Sequence, residues 1–382
     1  MTLLAAALFV QMPIADLPFE RVGNRIYLKA TLNGNAVNAV LDTGAGSTVA
    51  DTEVGEAAGA KKAQEIVAGG AGASTVKGWF VSDLNLKLDG TDVRHPIPVI
   101  LPLAPLTVME GRPLQTVLGY DFLQRYRVEI DYAAGRLRLF SPSVDTVPTG
   151  ASELPIEFVQ NTPRINGKVE VAGLGAREVT MMLDTGATTA ATLTAKAVGD
   201  MKLDDRYKDV PELVLGGGVG GQTKGRRVRL PALTLGSIRV ARPVAYLDST
   251  GGGATGRQAN YDVLVGGETL RRFTLTLDYA HKRIFLKPNA DFAEPFVGDK
   301  VGLSVGLGAG GEFTVRQVVP DSPASEAGIG KDTVILAING RPVTTLEDLR
   351  RAFRAAQGDL RLRIRQADTE RVAVLKTREL VP

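Results

Sequence analysis

The chain has 382 residues, 44% of them apolar and 23% charged, enough for two or three domains with ample cores. Its net charge of +3 is small for that size and gives no argument for a nucleic-acid partner. Cysteine is absent, which excludes thiol catalysis, thiolate metal sites and disulfides. Only His95 and His281 occur, without the spacing of metal ligands, so no metal site is expected and each reads as a surface or loop residue.

The run Met1–Val10 is apolar but too short to span a bilayer. It reads either as the h-region of a secretory signal or as a loose apolar terminus. No Lys or Arg precedes it and no clean small-x-small cleavage site follows. The first reading places the protein in the periplasm or outside the cell, the second in the cytoplasm. No other segment has the apolar length of a membrane helix, so no integral membrane segment is expected. Residues 1–18 are set apart as this segment, and three units follow at 19–142, 156–290 and 300–382.

In the first unit Arg25–Leu32 alternates in polarity, Asn33-Gly34 is a hairpin signal, and Val37–Leu41 is the returning strand. Trp79–Leu88 and Val128–Phe140 are further strands, the latter folded at Ala133-Ala134-Gly135. Ser141–Pro155 has little apolar content and reads as a linker. Phe158–Lys287 repeats the plan, ending in the strands Phe273–Asp278 and Arg283–Lys287. Each unit carries a glycine-rich stretch, Ala68–Gly72 with Gly69 and Gly70, and Gly216–Gly221 with Gly217 and Gly218. Neither has the Lys-Ser/Thr of a phosphate loop, so each is a hairpin flap or a plain flexible loop. Pro288–Asp299 is a second linker. Beyond it Phe313–Val319, Thr333–Ile338, Leu360–Arg365 and Arg371–Leu375 read as strands. A helix is expected from Thr344, with Glu347 as its capping-box partner and an apolar stripe of Leu346, Leu349 and Phe353. The arginines of this region, from Arg350 to Arg365, alternate with apolar residues and read as solvated faces.

The repeat is the strongest signal. Leu41-Asp42-Thr43-Gly44-Ala45 follows Val37, and Leu183-Asp184-Thr185-Gly186-Ala187 follows Val179 at the same spacing, 142 residues on. Later matches, Lys77-Gly78 with Lys224-Gly225 and Asp131-Tyr132-Ala133 with Asp278-Tyr279-Ala280, sit 147 residues apart. A period this long means two duplicated lobes, since solenoid repeats are far shorter. Either both are structural turn aspartates, or an approximate twofold between the lobes brings Asp42 and Asp184 together, where two close like charges cannot both ionise. Such a pair activates a water for amide hydrolysis with no cofactor.

These motifs resemble the active-site motif of aspartic proteases, nearest to the retropepsin-like branch, over roughly residues 20–287. Hydrophobic-hydrophobic-Gly follows in each lobe, as Val117-Leu118-Gly119 and Leu264-Val265-Gly266. The resemblance implies a mainly β fold, a pair of retropepsin/pepsin-like β-barrel lobes. It implies Asp42 and Asp184 as the dyad, Thr43 and Thr185 interlocking beneath them, and Gly44, Ala45, Gly186 and Ala187 supporting the loops. The glycine-rich stretches become flaps over a polypeptide substrate.

Residues 300–382 resemble a small α+β PDZ domain of the bacterial protease type. The resemblance rests on Val318-Val319-Pro320-Asp321-Ser322-Pro323-Ala324, Ala327-Gly328 and Val334–Gly340. It implies that a peptide or protein C-terminus docks against the loop Gly302-Leu303-Ser304-Val305 and a helix bearing Leu346 and Leu349. Ser304 stands where that family has glycine. The expectation is an aspartic endopeptidase whose PDZ domain recruits or regulates substrate. The alternative is an inactive peptide-binding scaffold.

Overall fold

The computed structural model describes residues 12–381, so Met1–Val10 lies outside the described residues. The fold is mainly β, and among the described residues the strands make four sheets. Two of them have ten strands each and the same order, one built from residues 20–118 and the other from 157–266. The duplication read from the motifs therefore extends to the whole strand topology of each lobe.

Local chemistry explains the central hairpins. Arg25–Leu32 pairs antiparallel with Asn35–Leu41, from Ile26 opposite Leu41 to Leu32 opposite Asn35. Asn33 and Gly34 turn between them at φ 47° and 91°, the pair of positive angles that a tight, right-twisted hairpin requires. In the second lobe Thr162–Val171 pairs with Gly175–Asp184 in the same way. Trp79–Leu88 is not one strand. Asp83, at φ 64°, breaks it into Val76–Ser82 and Asn85–Leu88, which lie at different places in the sheet.

A third sheet of six strands joins the lobes. Arg127–Asp131 of the first lobe pairs with Phe273–Asp278 of the second, with Val128 opposite Leu277 and Ile130 opposite Leu275. All four side chains are buried. The outer strands are Ala15–Pro18 on one side and Ser152–Pro155 on the other. Two expectations change here. The end of the N-terminal apolar segment is a paired strand, and so is the end of the Ser141–Pro155 linker. Both lacked an apolar run because an edge strand buries only alternate residues, Ala15 and Leu17 in one and Leu154 in the other. Beyond Pro288, which ends the strand Arg283–Pro288, the stretch to Asp299 has no strand, but it is pinned. Arg272, fully buried, donates to the carbonyls of Asp291 and Phe292 and stacks 3.7 Å from the Phe296 ring.

Residues 301–375 bury a separate apolar cluster around Val315, Leu362, Ile364 and Leu375. The helix is Leu346–Ala355, one residue later than the capping box suggests: Thr345 is its cap, accepting from the Asp348 amide at 3.0 Å. Arg361, Arg363 and Arg365 alternate with buried Leu360, Leu362 and Ile364 as the pattern implies. Arg350 departs from it, because its guanidinium donates to the Met109 carbonyl of the first lobe at 2.7 Å. His95 is not a surface residue either. It is 4% exposed in the strand Arg94–Pro96 and pairs with Asp121 at 3.1 Å.

The inter-lobe sheet generates the first prediction. Ile130→Ala should lower unfolding free energy by about 2–5 kcal/mol, the usual cost of truncating a buried aliphatic side chain. Exposed Glu153→Ala in the same sheet should stay within about 0.5 kcal/mol. Urea titration followed by circular dichroism measures both. Equal midpoints for the two variants would contradict a core at this seam.

Candidate active site

Each Asp-Thr-Gly stands at the end of a central strand and is locked by its own turn. The Gly44 amide donates to Asp42 Oδ1 at 2.7 Å. The amides of Gly186 and Ala187 donate to Asp184 Oδ1 at 2.8 and 3.1 Å. Beside each turn runs a parallel strand. Thr116–Leu118 pairs with Ala39–Leu41, and Val263–Gly266 with Met181–Asp184. The Leu118 carbonyl accepts the Asp42 amide at 3.0 Å. Gly119 has to be glycine, because a Cβ there would lie 2.5 Å from the Ser47 carbonyl oxygen.

The two turns hold one another. Thr43 Oγ1 donates to the Leu183 carbonyl at 2.7 Å, and Thr185 Oγ1 to the Leu41 carbonyl at 2.9 Å. Each hydroxyl also accepts the other threonine's amide, at 3.1 and 3.0 Å. Both threonines are buried. The glycines that follow leave room for the opposing acid. A Cβ on Gly44 would sit 2.7 Å from the Asp184 carboxyl carbon, and one on Gly186 would sit 2.3 Å from that of Asp42. Hairpin turns cross over to cap the loops: Asn24 Nδ2 donates to the Thr188 carbonyl at 2.9 Å, and Asn161 Nδ2 to Gly46 at 3.2 Å.

The two carboxyls face one another across the interlocked turns and act on each other's ionisation. Loss of solvation pushes both above the ordinary carboxylate value, and the charge of Asp42 pushes Asp184 further. The amides of Gly44 and Gly186 pull the other way and do not prevail. The pair is therefore a single acid-base unit holding one proton above the ordinary carboxylate range.

The glycine-rich stretches are hairpin tips, between Lys61–Ala68 and Val76–Ser82 and between Leu213–Gly218 and Gly221–Arg229. The tips touch. The Ser74 amide donates to the Gly220 carbonyl at 3.0 Å, and a Cβ on Gly70 would lie 2.7 Å from the Val219 carbonyl oxygen. Gly218 faces Ala71 in the same way, while Gly69 meets nothing within 4 Å. Gly217 lies near Met109. Val219 and Ala45 both pack on the apolar cluster of Val22, Tyr27, Val40 and their neighbours.

The PDZ-like residues are placed differently from the expectation. Leu303–Leu307 is an edge strand, so Leu303, Ser304 and Val305 are not a loop, and only Gly302, at φ 81°, retains loop geometry. Leu346 and Leu349 are each 1% exposed, inside the cluster and not on its surface. No local pattern marks Arg25 and Glu110, whose side chains pair beside the Gly186 turn, because their partners are far away in the chain.

Comparison with known proteins fits this geometry. The family model described as aspartyl protease matches residues 28–122 and 164–269. The chain belongs to the aspartyl protease family. A PDZ domain model matches residues 314–366, with nothing that marks it as bacterial. DNA damage-inducible protein 1 of Chaetomium globosum is 28% identical over 173 residues, 44% of this chain and 36% of its own length. The UBA domain-containing protein Mud1 of Schizosaccharomyces pombe is 28% identical over 145 residues, 37% and 40% respectively. Both are fungal, so the bacterial expectation has no support among them. This chain spans only about two fifths of the length of such relatives or less. An aspartic proteinase from Irpex lacteus superposes with a TM-score of 0.46 at 13% identity, covering 73% of this chain and 98% of that one.

The raised carboxyls have a consequence for stability. Between the ordinary value of 3.8 and the raised folded value, the native pair keeps a proton that the unfolded chain releases. Stability therefore falls as pH rises through that window and is unaffected by the pair below it. Asp184→Asn removes the burden, so the variant should melt higher than wild type at about pH 7, and the gap should close towards about pH 4. Scanning calorimetry at the two pH values tests this, and a gap of the same size at both would refute it.

Proposed function

We propose that the chain is an aspartic endopeptidase in which Asp42 and Asp184 activate water against a peptide bond. The observation that carries the reading is the shared-proton pair held on interlocked Thr-Gly turns from two lobes. The ionised carboxylate takes a proton from water while the protonated partner donates to the scissile carbonyl, giving a gem-diol. The proton taken up then passes to the amide nitrogen as the C–N bond breaks, while a gem-diol hydroxyl returns its proton to the ionised partner as the carboxylic acid forms, and the pair regains its starting charge. Either carboxyl can hold the shared proton at the start of the cycle, and the one that lacks it acts as the base. The touching glycine tips act as flaps over the polypeptide substrate, and the PDZ domain contributes peptide recognition or regulation.

Asp42→Asn and Asp184→Asn should each lower turnover of casein about a thousandfold or more, since either leaves one acid where the chemistry needs an acid and a base. Wild-type cleavage should be blocked by pepstatin. No wild-type cleavage anywhere between about pH 3 and about pH 7 would turn the reading to a peptide-binding scaffold.

The rate should peak in weak acid, at about pH 5 to 6, where one of two coupled carboxyls remains protonated. The residues after the two Asp-Thr-Gly motifs are Ala45 and Ala187, whose side chains offer no hydroxyl to the charged carboxylate. Ala45→Ser or Ala187→Ser should shift the profile towards acid, because donation to the ionised form lowers a carboxylate pKa. An optimum in strong acid, around pH 2, would contradict the argument.

A further inference from the structure

The surroundings of the pair are not symmetric. The hairpin turns that cap the two loops continue into Arg25 in the first lobe and Thr162 in the second. Thr162 bonds only within its own hairpin, donating to the Val159 carbonyl and accepting from Arg164. Arg25 reaches across the lobe boundary. Its Nε donates to the Gly186 carbonyl, in the turn that carries Asp184, and its Nη1 pairs with Glu110. The two side chains are 14% and 10% exposed.

Glu110 ends the helix Ala104–Glu110, and that helix lies on the PDZ domain. It touches both walls expected to receive a peptide. The Val108 carbonyl stands over Gly306 of the edge strand, and Gly111 packs on Leu346 at the start of the helix Leu346–Ala355. Arg350 of that helix donates to the Met109 carbonyl and stands 4.0 Å from Glu110. A little further along, Glu347 accepts the Gly23 amide at 3.3 Å, two residues before Arg25.

We propose that Arg25 is a positioning residue for the Asp42/Asp184 pair, orienting the Asp184 turn through the Gly186 carbonyl. Glu110 holds it there, so the PDZ domain, through Arg350, is part of the support of the site. The proposal rests on reading Asp42 and Asp184 as the working pair. A nearly buried guanidinium needs a counter-charge to stay in place, and Glu110 provides it. The charged and titratable groups that act on Arg25 are Tyr27, Glu110, Asp42 and Asp184, with Arg350 4.0 Å from Glu110, and those that act on the pair from other elements are Arg164, Tyr132, Tyr261 and Tyr279. Burial pushes both carboxyls up, and the charge of Arg25 opposes it at each.

The test is a pH titration of the 13Cγ shifts of Asp42 and Asp184 in the full chain, alongside kcat on casein. Arg25→Met should move both titration steps of the pair to higher pH, because a favourable positive charge is lost. Glu110→Gln should move them the other way, because the guanidinium is then uncompensated. Arg25→Lys keeps the charge and should leave the steps near wild type. Its kcat should still fall about tenfold or more, since an ammonium does not reproduce the fork that spans Gly186 and Glu110. Arg350→Met, outside the cleft, should lower kcat by about twofold to thirtyfold, the range for a residue coupled at a distance.

Titration steps that stay put in folded Arg25→Met and Glu110→Gln would overturn the proposal and reduce the ion pair to a contact that holds the fold. Should Arg25→Met fail to fold, Glu110→Gln and Arg25→Lys decide alone, since the first must move the steps to lower pH and the second must leave them in place while kcat falls. The carbon shifts report with or without turnover. A wild type that never cleaves casein would thus sink the endopeptidase reading, while the titration still decides the positioning role.

Discussion

Four hydrogen bonds between Thr43 and Thr185 and their neighbours are the constraint on which the rest depends. Two acids forced together away from water repel one another and are costly to desolvate. A site that holds them needs a rigid floor that cannot relax by letting the lobes drift apart. The threonine exchange supplies this at the point of strain, because each hydroxyl satisfies a backbone group of the opposite lobe. Losing one side would leave buried donors and acceptors without partners, at about 1–3 kcal/mol each. The six-stranded sheet joins the same two lobes elsewhere, through Val128, Ile130, Leu275 and Leu277. The grip fixes the acids and the sheet fixes the lobes.

Much of this was legible in the sequence because it is written twice. The paired motif named the acids, and the matching hydrophobic-hydrophobic-Gly segments named the strands beside them. What escaped was set by contacts distant in the chain. Arg25 meets the Gly186 carbonyl 161 positions away, and no local pattern foretells a buried guanidinium there. Ser152–Pro155 looked like linker because an edge strand needs only one buried side chain, Leu154, to pair. Leu303–Val305 looked like a loop because Gly302 stands directly before it. Asp83 divided Trp79–Leu88 by a left-handed turn residue that the apolar alternation hid. Failures of this kind are failures of range, not of chemistry.

Duplication in one chain also permits the halves to differ, and they do at the supports. Asp121 of the first lobe accepts the Thr48 amide and hydroxyl, both at 2.6 Å, and pairs with buried His95. Burial pushes Asp121 up, but the bonds from His95 and Thr48 outweigh it and hold it below the ordinary range. The matching position of the second lobe is Glu268, which instead accepts from Asn24 of the first lobe at 3.0 Å. Arg25 faces only one turn. A symmetric dimer would have to give both turns identical neighbours, whereas a single chain is free to make one acid unlike the other. An acid-base pair benefits from that freedom, because one member has to hold the proton and the other to lack it.

The glycine content of the two tips follows from the same geometry. Where two hairpins meet end to end, their backbones come closer than side chains allow. A Cβ on Gly72 would lie 2.5 Å from the Gly220 carbonyl oxygen, and one on Gly220 would lie 2.2 Å from that of Ser74. Both residues also stand at positive φ, 94° and 99°, where any other residue is strained. Glycine is thus required for contact here, and a merely flexible loop would not need it at these places. The first tip is tied by a few backbone bonds: Ser74 donates to Gly220 of the second tip at 3.0 Å, and Ala254, in the loop after Val244–Asp248, donates to Gly70 at 2.8 Å. Each is worth only about 0.5–1.5 kcal/mol net. Contacts held by such bonds are cheap to part, and in the proposed peptidase an entering polypeptide strand would offer amides and carbonyls to replace them.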